Sequence, residues 1–279
     1  MPRAVRGGAG MVNAARRKER LDALLVRRGL APSRERAQAY VLAGRVFVDG
    51  RRVDKPGTPV PEEAILEVRG PDHPYVSRGG LKLERALRDF RLDVRGAVAL
   101  DLGAGTGGFT DCLLQHGAKR VYAVDVGHGQ LHPRLRADPR VVVLERTHAK
   151  DLSQALIPEV LDFACADVSF ISLARALPPL IPLLREGAAV VALVKPQFEA
   201  GRGVAKRGVV QDPEVHRAVI RKVVEELSKH GLGAQAVVPS PIRGDAGNAE
   251  FLVLFRKGAS PSLPEEEIEA AVEEAQRIP

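Results

Sequence analysis

The fold is decided by residues 97–109, Ala97-Val98-Ala99-Leu100-Asp101-Leu102-Gly103-Ala104-Gly105-Thr106-Gly107-Gly108-Phe109. The stretch begins as an apolar strand predicted over 97–102 and passes through a glycine-rich turn into a helix predicted over 107–116. Glycines at such a turn let the backbone come close to a ligand. The stretch therefore predicts a strand, a binding turn and a helix in direct succession.

The chain that follows alternates between strand and helix patterns. Apolar runs predict further strands over 121–126, 141–145, 161–166, 188–194, 234–239 and 250–256. Helices are predicted over 173–184 and 212–230, the second with Asp212 as its N-cap and Pro213 at its first position. This alternation indicates an α/β fold, a Rossmann-like parallel sheet with helices on both faces.

Asp101 bears on which ligand the glycine turn holds. The glycines also fit the G-x-G-x-x-G pattern of NAD-dependent dehydrogenases. A carboxylate beside a pyrophosphate is repelled, whereas a carboxylate beside a sulfonium and its amino group is attracted. The Asp-x-Gly-x-Gly form therefore favours S-adenosylmethionine (AdoMet), while an NAD-dependent oxidoreductase and a purely structural turn stay open.

A second acid supports a cofactor that carries a ribose. Asp125 ends the second predicted strand, 24 residues after Asp101, where a carboxylate can hold ribose hydroxyls. Val126 would pack near the adenine, and His148 is either an adenine contact or an ordinary surface histidine. We predict cofactor contacts from Asp101, Gly103, Ala104, Gly105, Thr106, Gly107, Phe109, Asp125, Val126, His148 and Asp167.

Composition excludes several classes of protein. The chain has 279 residues, of which 45% are hydrophobic and 28% charged, which is typical of a globular protein. Its two cysteines, Cys112 and Cys165, exclude a disulfide scaffold and a four-thiolate zinc site. They fit a reducing compartment, so we expect a cytoplasmic protein. No apolar run approaches the roughly 18 residues of a membrane span, and no secretory signal is expected.

The positive charge is concentrated near the N-terminus. The chain has 42 Lys and Arg against 35 Asp and Glu, and residues 1–80 hold 16 against 9, so the first 80 residues carry the whole excess of +7. We predict a flexible basic leader over 1–18 and a small α+β unit over 19–70. An excess of this kind suits a polyanionic partner, although a solvated charged surface is the alternative.

The predicted elements of this unit follow one another in an order that is specific for one type of domain. Leu21, Leu24 and Leu25 have helical spacing, Ser33 is a suitable N-cap for a second helix, and Asp49-Gly50 lies between two short apolar runs as in a hairpin. In this order the segment resembles the S4 RNA-binding domain. The arginines near its helix ends would contact RNA phosphates: Arg20, Arg27, Arg28, Arg34, Arg36 and Arg45.

Other segments complete the organisation. A stiff linker is predicted over 71–76, the α/β domain over 77–258, and an acidic tail with a short helix over 259–279. Arg78 is a further candidate for RNA contact. The glycine-rich loop 199–208 is either a basic lid, with Arg202, Lys206 and Arg207 on phosphates, or a mobile loop.

Four ionisable residues are predicted where such a sheet places its active site. Lys82 precedes the first strand of the sheet, Asp167 and Lys195 directly follow long apolar strands, and Glu250 opens the last strand. A charged residue at a strand end is often merely solvated. Asp167 and Lys195 are less easily explained in that way because each follows a buried run.

Taken together, residues 19–279 resemble the TlyA or hemolysin A family, in which an S4 domain is joined to an FtsJ-like RNA 2′-O-methyltransferase. The matching strings include Val76–Leu83, Thr106–Thr110, Asp125–Leu131, Val142–Thr147, Asp167–Ser172, Val194–Glu199, Gly208–Pro213, Ser240–Ile242 and Gly247–Phe251. The resemblance implies that Lys82, Asp167, Lys195 and Glu250 form the Lys-Asp-Lys-Glu catalytic tetrad of this family.

The resemblance also implies an activity. It implies AdoMet-dependent methylation of the ribose 2′-oxygen, of cytidine, in ribosomal RNA of the small or large subunit or of both, without a metal. Lys195 would favour the developing alkoxide, Asp167 would orient Lys195, and Lys82 and Glu250 would position the ribose. Two other functions stay open: a ribosome assembly factor that binds RNA without catalysis, and a membrane-active protein.

Overall fold

The structure, a computed structural model, describes residues 18–70, 73–201, 204, 208–244 and 247–278. Most of the predicted leader and the basic loop residues Arg202, Lys206 and Arg207 lie outside the described residues. The chain divides into two compact units, Met1–Asp72 and His73–Pro279.

The first unit is built from two helices and short strands. Its elements are β1 Lys18–Arg20, α1 Leu21–Arg27, α2 Arg34–Leu42, β2 Val46–Val48, β3 Arg51–Arg52, β4 Pro59–Pro61 and β5 Leu66–Val68. The predicted N-cap is confirmed, because the Ser33 hydroxyl accepts a hydrogen bond from the Arg36 amide. Leu21, Leu24 and Leu25 are fully buried against α2, as their helical spacing predicts.

Short strands complete this unit. β2 pairs with β3 through the predicted two-residue turn, where Asp49 and Gly50 have φ of 48° and 77°, and with β5 on its other side. Helix α1 begins at Leu21, because Lys18–Arg20 before it pairs with Pro59–Pro61 as an antiparallel strand.

The second unit holds the larger sheet and most of the helices. Its elements are α3 Gly79–Asp89, β6 Val98–Leu102, α4 Gly108–Gln115, β7 Arg120–Val124, α5 Pro133–Arg136, β8 Val141–Leu144, β9 Leu161–Ala166, α6 Leu173–Ala176, β10 Leu184–Val194, α7 Pro196–Glu199, α8 Pro213–Ser228, β11 Leu232–Pro239, β12 Phe251–Lys257 and α9 Glu265–Arg277. Short 3₁₀ turns cover Ala149–Asp151 and Pro178–Leu183. None of the helices within the described ranges combines the length and the apolar character that crossing a bilayer requires.

Among the described residues the sheet has seven strands in the order β11-β12-β10-β9-β6-β7-β8. The contiguous strands β10, β9, β6, β7 and β8 run parallel, as predicted. The predicted parallel arrangement does not extend to the last strand, because β12 runs antiparallel to both β10 and β11. The pairing of Val194 with Phe251 consequently brings the end of β10 beside the start of β12.

Helices cover both faces of the sheet, as predicted. One face packs against α3 and α4 through Leu83, Leu87 and Leu113, and the other packs against α8 and α9 through residues such as Ile220 and Val272. All of these side chains are less than 5% exposed. Each such burial stabilises the unit by roughly 1.5–3 kcal/mol before the entropic cost of folding.

Two local predictions differ from the structure. The helix predicted over 173–184 ends after Ala176, because the prolines that follow lack the amide needed to continue it. No helix was predicted over 79–89, where α3 lies. By contrast, Asp212 caps α8 as predicted, since its side chain accepts from the Glu214 amide at 2.9 Å.

Candidate active site

A cavity of about 1060 Å³ opens where the parallel strands end. Its walls come from the segments that follow β6, β7, β9 and β10, so the topology places the predicted cofactor and catalytic residues at one edge of the sheet. Nine of the eleven predicted cofactor residues line it: Gly103, Ala104, Gly105, Thr106, Phe109, Asp125, Val126, His148 and Asp167.

The glycine turn shapes the floor of this cavity. Gly103 has φ of 86°, and a Cβ there would overlap the carbonyl oxygen of Asp167, so glycine allows the turn to lie against the segment after β9. Gly105 has φ of 51°, and the space where its Cβ would be is open. Gly107, also a predicted cofactor contact, does not line the cavity; it has φ of 96° and leaves room for Leu135.

Asp125 is held rigidly at the cavity wall. One of its carboxylate oxygens accepts the Gly105 amide at 2.8 Å and the other accepts the Gly127 amide at 2.7 Å. Each carboxylate oxygen can accept more than one hydrogen bond. The side chain is therefore fixed in position and still able to bind hydroxyl groups.

Asp101, a predicted cofactor contact, does not line the cavity. The carboxylate is fully buried beneath the glycine turn, where it accepts a hydrogen bond from the Thr110 hydroxyl at 2.7 Å. Burial raises the pKa of Asp101 to about 7, and the nearby charge of Asp167 adds to the effect. Asp101 thus links β6 to α4, the two elements that the glycine turn connects.

The open end of the cavity carries Val126 and His148. Val126 is 62% exposed, which is high for a large apolar side chain, and His148 is also exposed. Sequence reasoning missed several polar residues in the same lining: Ser77, Gln130, Thr147, Lys150, Ser169 and Arg175. Four of them lie in loops, Lys150 lies in the 3₁₀ turn Ala149–Asp151 and Arg175 lies in the short helix α6. The pattern of apolar residues carries no signal for polar side chains at such places.

Lys195 and Asp167 form an ion pair that faces the cavity. The ammonium nitrogen Nζ lies 2.5 Å from Asp167 Oδ1 and donates to the Ser169 hydroxyl at 3.0 Å. The two side chains are 11% and 22% exposed, so the pair is partly shielded from water and has its remaining access from the cavity side.

Lys82 and Glu250 form a second pair, which is more deeply buried and outside the cavity lining. Lys82 Nζ donates to Glu250 Oε2 at 2.6 Å, and the Glu250 side chain is only 2% exposed. Burial raises the pKa of Glu250, with Lys82 opposing this effect, and the charges of Asp167 and Lys195 also act on it. The structure therefore brings all four predicted catalytic residues into one electrostatic cluster.

Glu199 is a structural residue that sequence reasoning did not single out. Its buried carboxylate accepts from the Ser172 hydroxyl at 2.7 Å and from the Leu173 amide at 2.8 Å. Nearby, Phe170 and Phe198 pack with their ring centroids 4.9 Å apart. These contacts tie the segment after β9 to the segment after β10, and so fix the spacing of Asp167 and Lys195.

The predicted RNA-binding arginines of the first unit all contact groups of that unit. Arg20 and Arg34 both bind the buried Asp22, and Arg27 binds Glu19. The remaining contacts are made by Arg28 to the carbonyl of Ala64, by Arg36 and Arg45 to the Tyr40 ring, and by Arg45 to the carbonyl of Arg69. The side chains of Arg20, Arg27 and Arg34 are still 52–56% exposed, so their charge faces solvent.

Arg78, also predicted to contact RNA, is exposed at the start of α3. The described ranges contain no group of three or more His, Cys, Asp or Glu side chains arranged to hold a metal ion.

Comparison with known families finds two matches. Residues 75–257 match the family described as FtsJ-like methyltransferase, and residues 19–66 match the S4 domain. Together they confirm the predicted combination of an α/β methyltransferase unit with an S4 unit at the N-terminus.

Individual relatives extend over nearly the whole chain. The 16S/23S rRNA (cytidine-2′-O)-methyltransferase TlyA of Mycobacterium tuberculosis is 46% identical over 265 residues, which is 93% of this chain and 97% of that protein. Hemolysin A of Brachyspira hyodysenteriae is 41% identical, over 85% of this chain and 99% of that protein. A solved structure from Streptococcus thermophilus that carries the hemolysin name superposes with a TM-score of 0.75 at 43% identity, over 94% of this chain and 97% of that one.

Proposed function

The chain belongs to the TlyA and hemolysin A family of S4 domain-containing, FtsJ-like methyltransferases, and from this premise we propose that it methylates a ribose 2′-oxygen in ribosomal RNA. The observation that carries the proposal is the Lys195–Asp167 pair on the wall of the glycine-floored cavity. A cation at that position suits a reaction in which an oxygen gains negative charge.

We propose AdoMet as the methyl donor, because the residues of the cavity fit it. When bound, AdoMet supplies an electrophilic methyl group on a sulfonium. The Asp125 carboxylate, held by two backbone amides, would accept its ribose hydroxyls. The open space at Gly105 gives a ligand close access to the backbone, and Val126 offers an apolar surface for the adenine.

Lys195 is proposed to act on the nucleophile. As the new oxygen–carbon bond formed, the bond between the methyl group and the donor sulfur would break to leave a neutral thioether, and the hydroxyl proton would pass to solvent water. The Lys195 ammonium would stabilise the negative charge that develops on the oxygen. Asp167 and Ser169 hold the ammonium in place before the substrate arrives. A fixed arrangement of this kind contributes to the rate through positioning.

The Lys82–Glu250 pair is proposed to support this arrangement from behind. Lys82 compensates the charge of Glu250, which would otherwise be a buried carboxylate without a counter-ion. The pair would keep the electrostatic field around Lys195 constant. It would also help to position the ribose next to Lys195.

The relative from Mycobacterium tuberculosis is named for cytidine and for both 16S and 23S rRNA. We propose cytidine as the target here as well, in one or both ribosomal subunits, within the cytoplasm. The exposed arginines of the S4 unit would supply phosphate contacts that add affinity without reading sequence.

The test of this function is mass mapping of rRNA nucleosides from cells with and without the gene. We expect 2′-O-methylcytidine at specific positions to disappear in the deletion strain. Unchanged rRNA would contradict the proposal, and unchanged rRNA with intact binding to ribosomal subunits would favour an assembly factor.

Lys195→Ala tests the catalytic assignment. We expect turnover to fall by about 10²–10³-fold, the range for the loss of one electrostatic donor, with AdoMet binding retained in calorimetry. Lys229→Ala is the matched control, since this lysine is 54% exposed at the end of α8. Full turnover in Lys195→Ala would contradict the assigned role.

A further inference from the structure

A second, smaller cavity lies at the opposite end of the sheet from the candidate active site. Its volume is about 320 Å³, and it lies where β6, β9 and β10 begin and β12 ends. Its charged lining consists of Arg91, Arg95, Arg185, Arg256, Asp93 and Asp162. Four arginines against two aspartates leave this cavity, named here the arginine pocket, with a net charge of +2.

Both aspartates of the arginine pocket already have partners. Asp93 accepts the Arg95 guanidinium with its two oxygens, at 3.0 Å from Nε and 2.6 Å from Nη2. Asp162 accepts Arg185 at 2.9 Å and the Val98 amide at 3.0 Å. The excess charge therefore belongs to Arg91 and Arg256.

These two arginines are not neutralised. Arg256 donates to the backbone carbonyl of Gly187 at 3.0 Å, which leaves its charge uncompensated. In the described part of the chain, no acidic side chain forms an ion pair with Arg91 or Arg256. The nearby Glu186 is paired with Lys257 instead.

The backbone at Arg91 is also unusual. The Leu92 amide bonds to the Leu87 carbonyl and the Arg91 amide bonds to the Arg88 carbonyl, so α3 ends in a Schellman motif. The residue at the position of Arg91 in this motif is normally glycine, and Arg91 has φ of 53°. A strained residue at a site where glycine would fit is a reason to look for a function of its side chain.

We propose that the arginine pocket binds phosphate groups of the RNA backbone. The guanidinium group is planar, permanently charged and suited to phosphate oxygens. The inference rests on the proposed function, which makes structured RNA the substrate. The five residues of β6 span roughly 17 Å, so a phosphate bound here lies well away from the target ribose. The substrate would then be a folded RNA that reaches two ends of the sheet.

Arg91→Gly tests the proposal because glycine suits the backbone there. We expect an unchanged or higher melting temperature, a severalfold weaker affinity for purified ribosomal subunits, and a salt dependence of log K reduced by about 1 for each lost phosphate contact. Arg256→Ala should give the same loss. Arg221→Ala, which removes a 46% exposed arginine from α8, is the control.

The outcomes are distinct. Unchanged affinity and salt dependence in Arg91→Gly and Arg256→Ala would overturn the proposal, while methylation by the wild type would leave the proposed function standing. A rise in melting temperature with inorganic pyrophosphate, absent in Arg91→Gly and without any effect on RNA affinity, would assign the arginine pocket to a free phosphate compound and so also overturn its RNA role.

Discussion

Asp101 and Asp125 show how position decides what an aspartate does. Both aspartates stand at the ends of adjacent strands. Asp125 faces the cavity and its oxygens accept from backbone amides, whereas Asp101 lies fully buried under the turn. The spacing of the two aspartates in the sequence predicts that both carboxylates lie near the cofactor. The direction of each side chain depends on the packing of Thr110 and Cys165 around Asp101, which the pattern does not contain.

The raised pKa of Asp101 predicts a pH dependence of stability. Between pH of about 4, near its unfolded pKa, and about 7, its pKa in the folded protein, the unfolded chain releases this proton and the folded chain keeps it. Stability therefore falls as pH rises through that window. Calorimetry of wild type and Asp101→Asn should show the variant gaining melting temperature relative to wild type from pH 4 to 7. A difference that stays constant with pH would contradict this.

The Lys82–Glu250 pair allows a structural role to be separated from a catalytic one. Lys82→Met leaves a buried carboxylate unpaired, so we expect a loss of about 3–5 kcal/mol in the free energy of unfolding. Adding Glu250→Gln should recover most of this stability because no unpaired charge remains. Methylation should stay low in the double variant, and its return together with stability would show that the pair acts only in folding.

At the scale of elements, glycines hold α3 and α4 together. A Cβ at Gly80 would overlap the Tyr75 ring, and a Cβ at Gly108 would overlap the Ser77 hydroxyl and the Gly80 backbone. Gly108 allows the close approach of the two helix starts, and Gly80 allows the Tyr75 ring to lie against α3, so both glycines help to fix the helix that carries Lys82.

We expect Gly80→Ala to destabilise the second unit by about 1–3 kcal/mol through overpacking. Methylation should fall with it, since Lys82 lies two residues further along α3. Thermal unfolding measures the effect, and Gly70→Ala is the control because the space around Gly70 is open. Equal stability of the two variants would contradict the packing argument.

Much of the architecture could be predicted at this scale, and the exceptions have physical causes. The strands of the larger sheet and the cap at Asp212 follow from apolar runs and capping chemistry. The helix carrying Lys82 was missed because Gly79-Gly80 resembles a helix breaker, whereas these glycines serve close packing. The antiparallel direction of β12 could not be predicted either, because an apolar run does not indicate whether its strand is parallel or antiparallel to its neighbours.

At the scale of the molecule, each unit has its own apolar core. Among the residues that the structure describes, the core of the first unit is small, with eight fully or nearly fully buried apolar residues. A unit of this size has only a few kcal/mol of stability in reserve. The larger unit buries far more apolar surface and contains the whole of the candidate active site.

Because the two units have separate cores of different size, we expect a core mutation in the first unit to impair RNA binding without impairing AdoMet binding. Leu25→Ala, which removes a fully buried side chain, should cost about 2–5 kcal/mol and unfold the first unit. Affinity for ribosomal subunits should then fall while AdoMet binding is retained. Leu42→Ala, at a 71% exposed position, should change neither quantity. Loss of AdoMet binding in Leu25→Ala would show that the two units do not fold separately.

The reversed strand β12 has a consequence for the timing of activity. The Lys82–Glu250 pair joins residues 168 positions apart, so Glu250 emerges from the ribosome long after Lys82. A nascent chain can present its glycine turn and Lys82 long before that, but it lacks the Lys82–Glu250 pair. We therefore expect methylation only from chains in which Glu250 has been synthesised and has paired with Lys82.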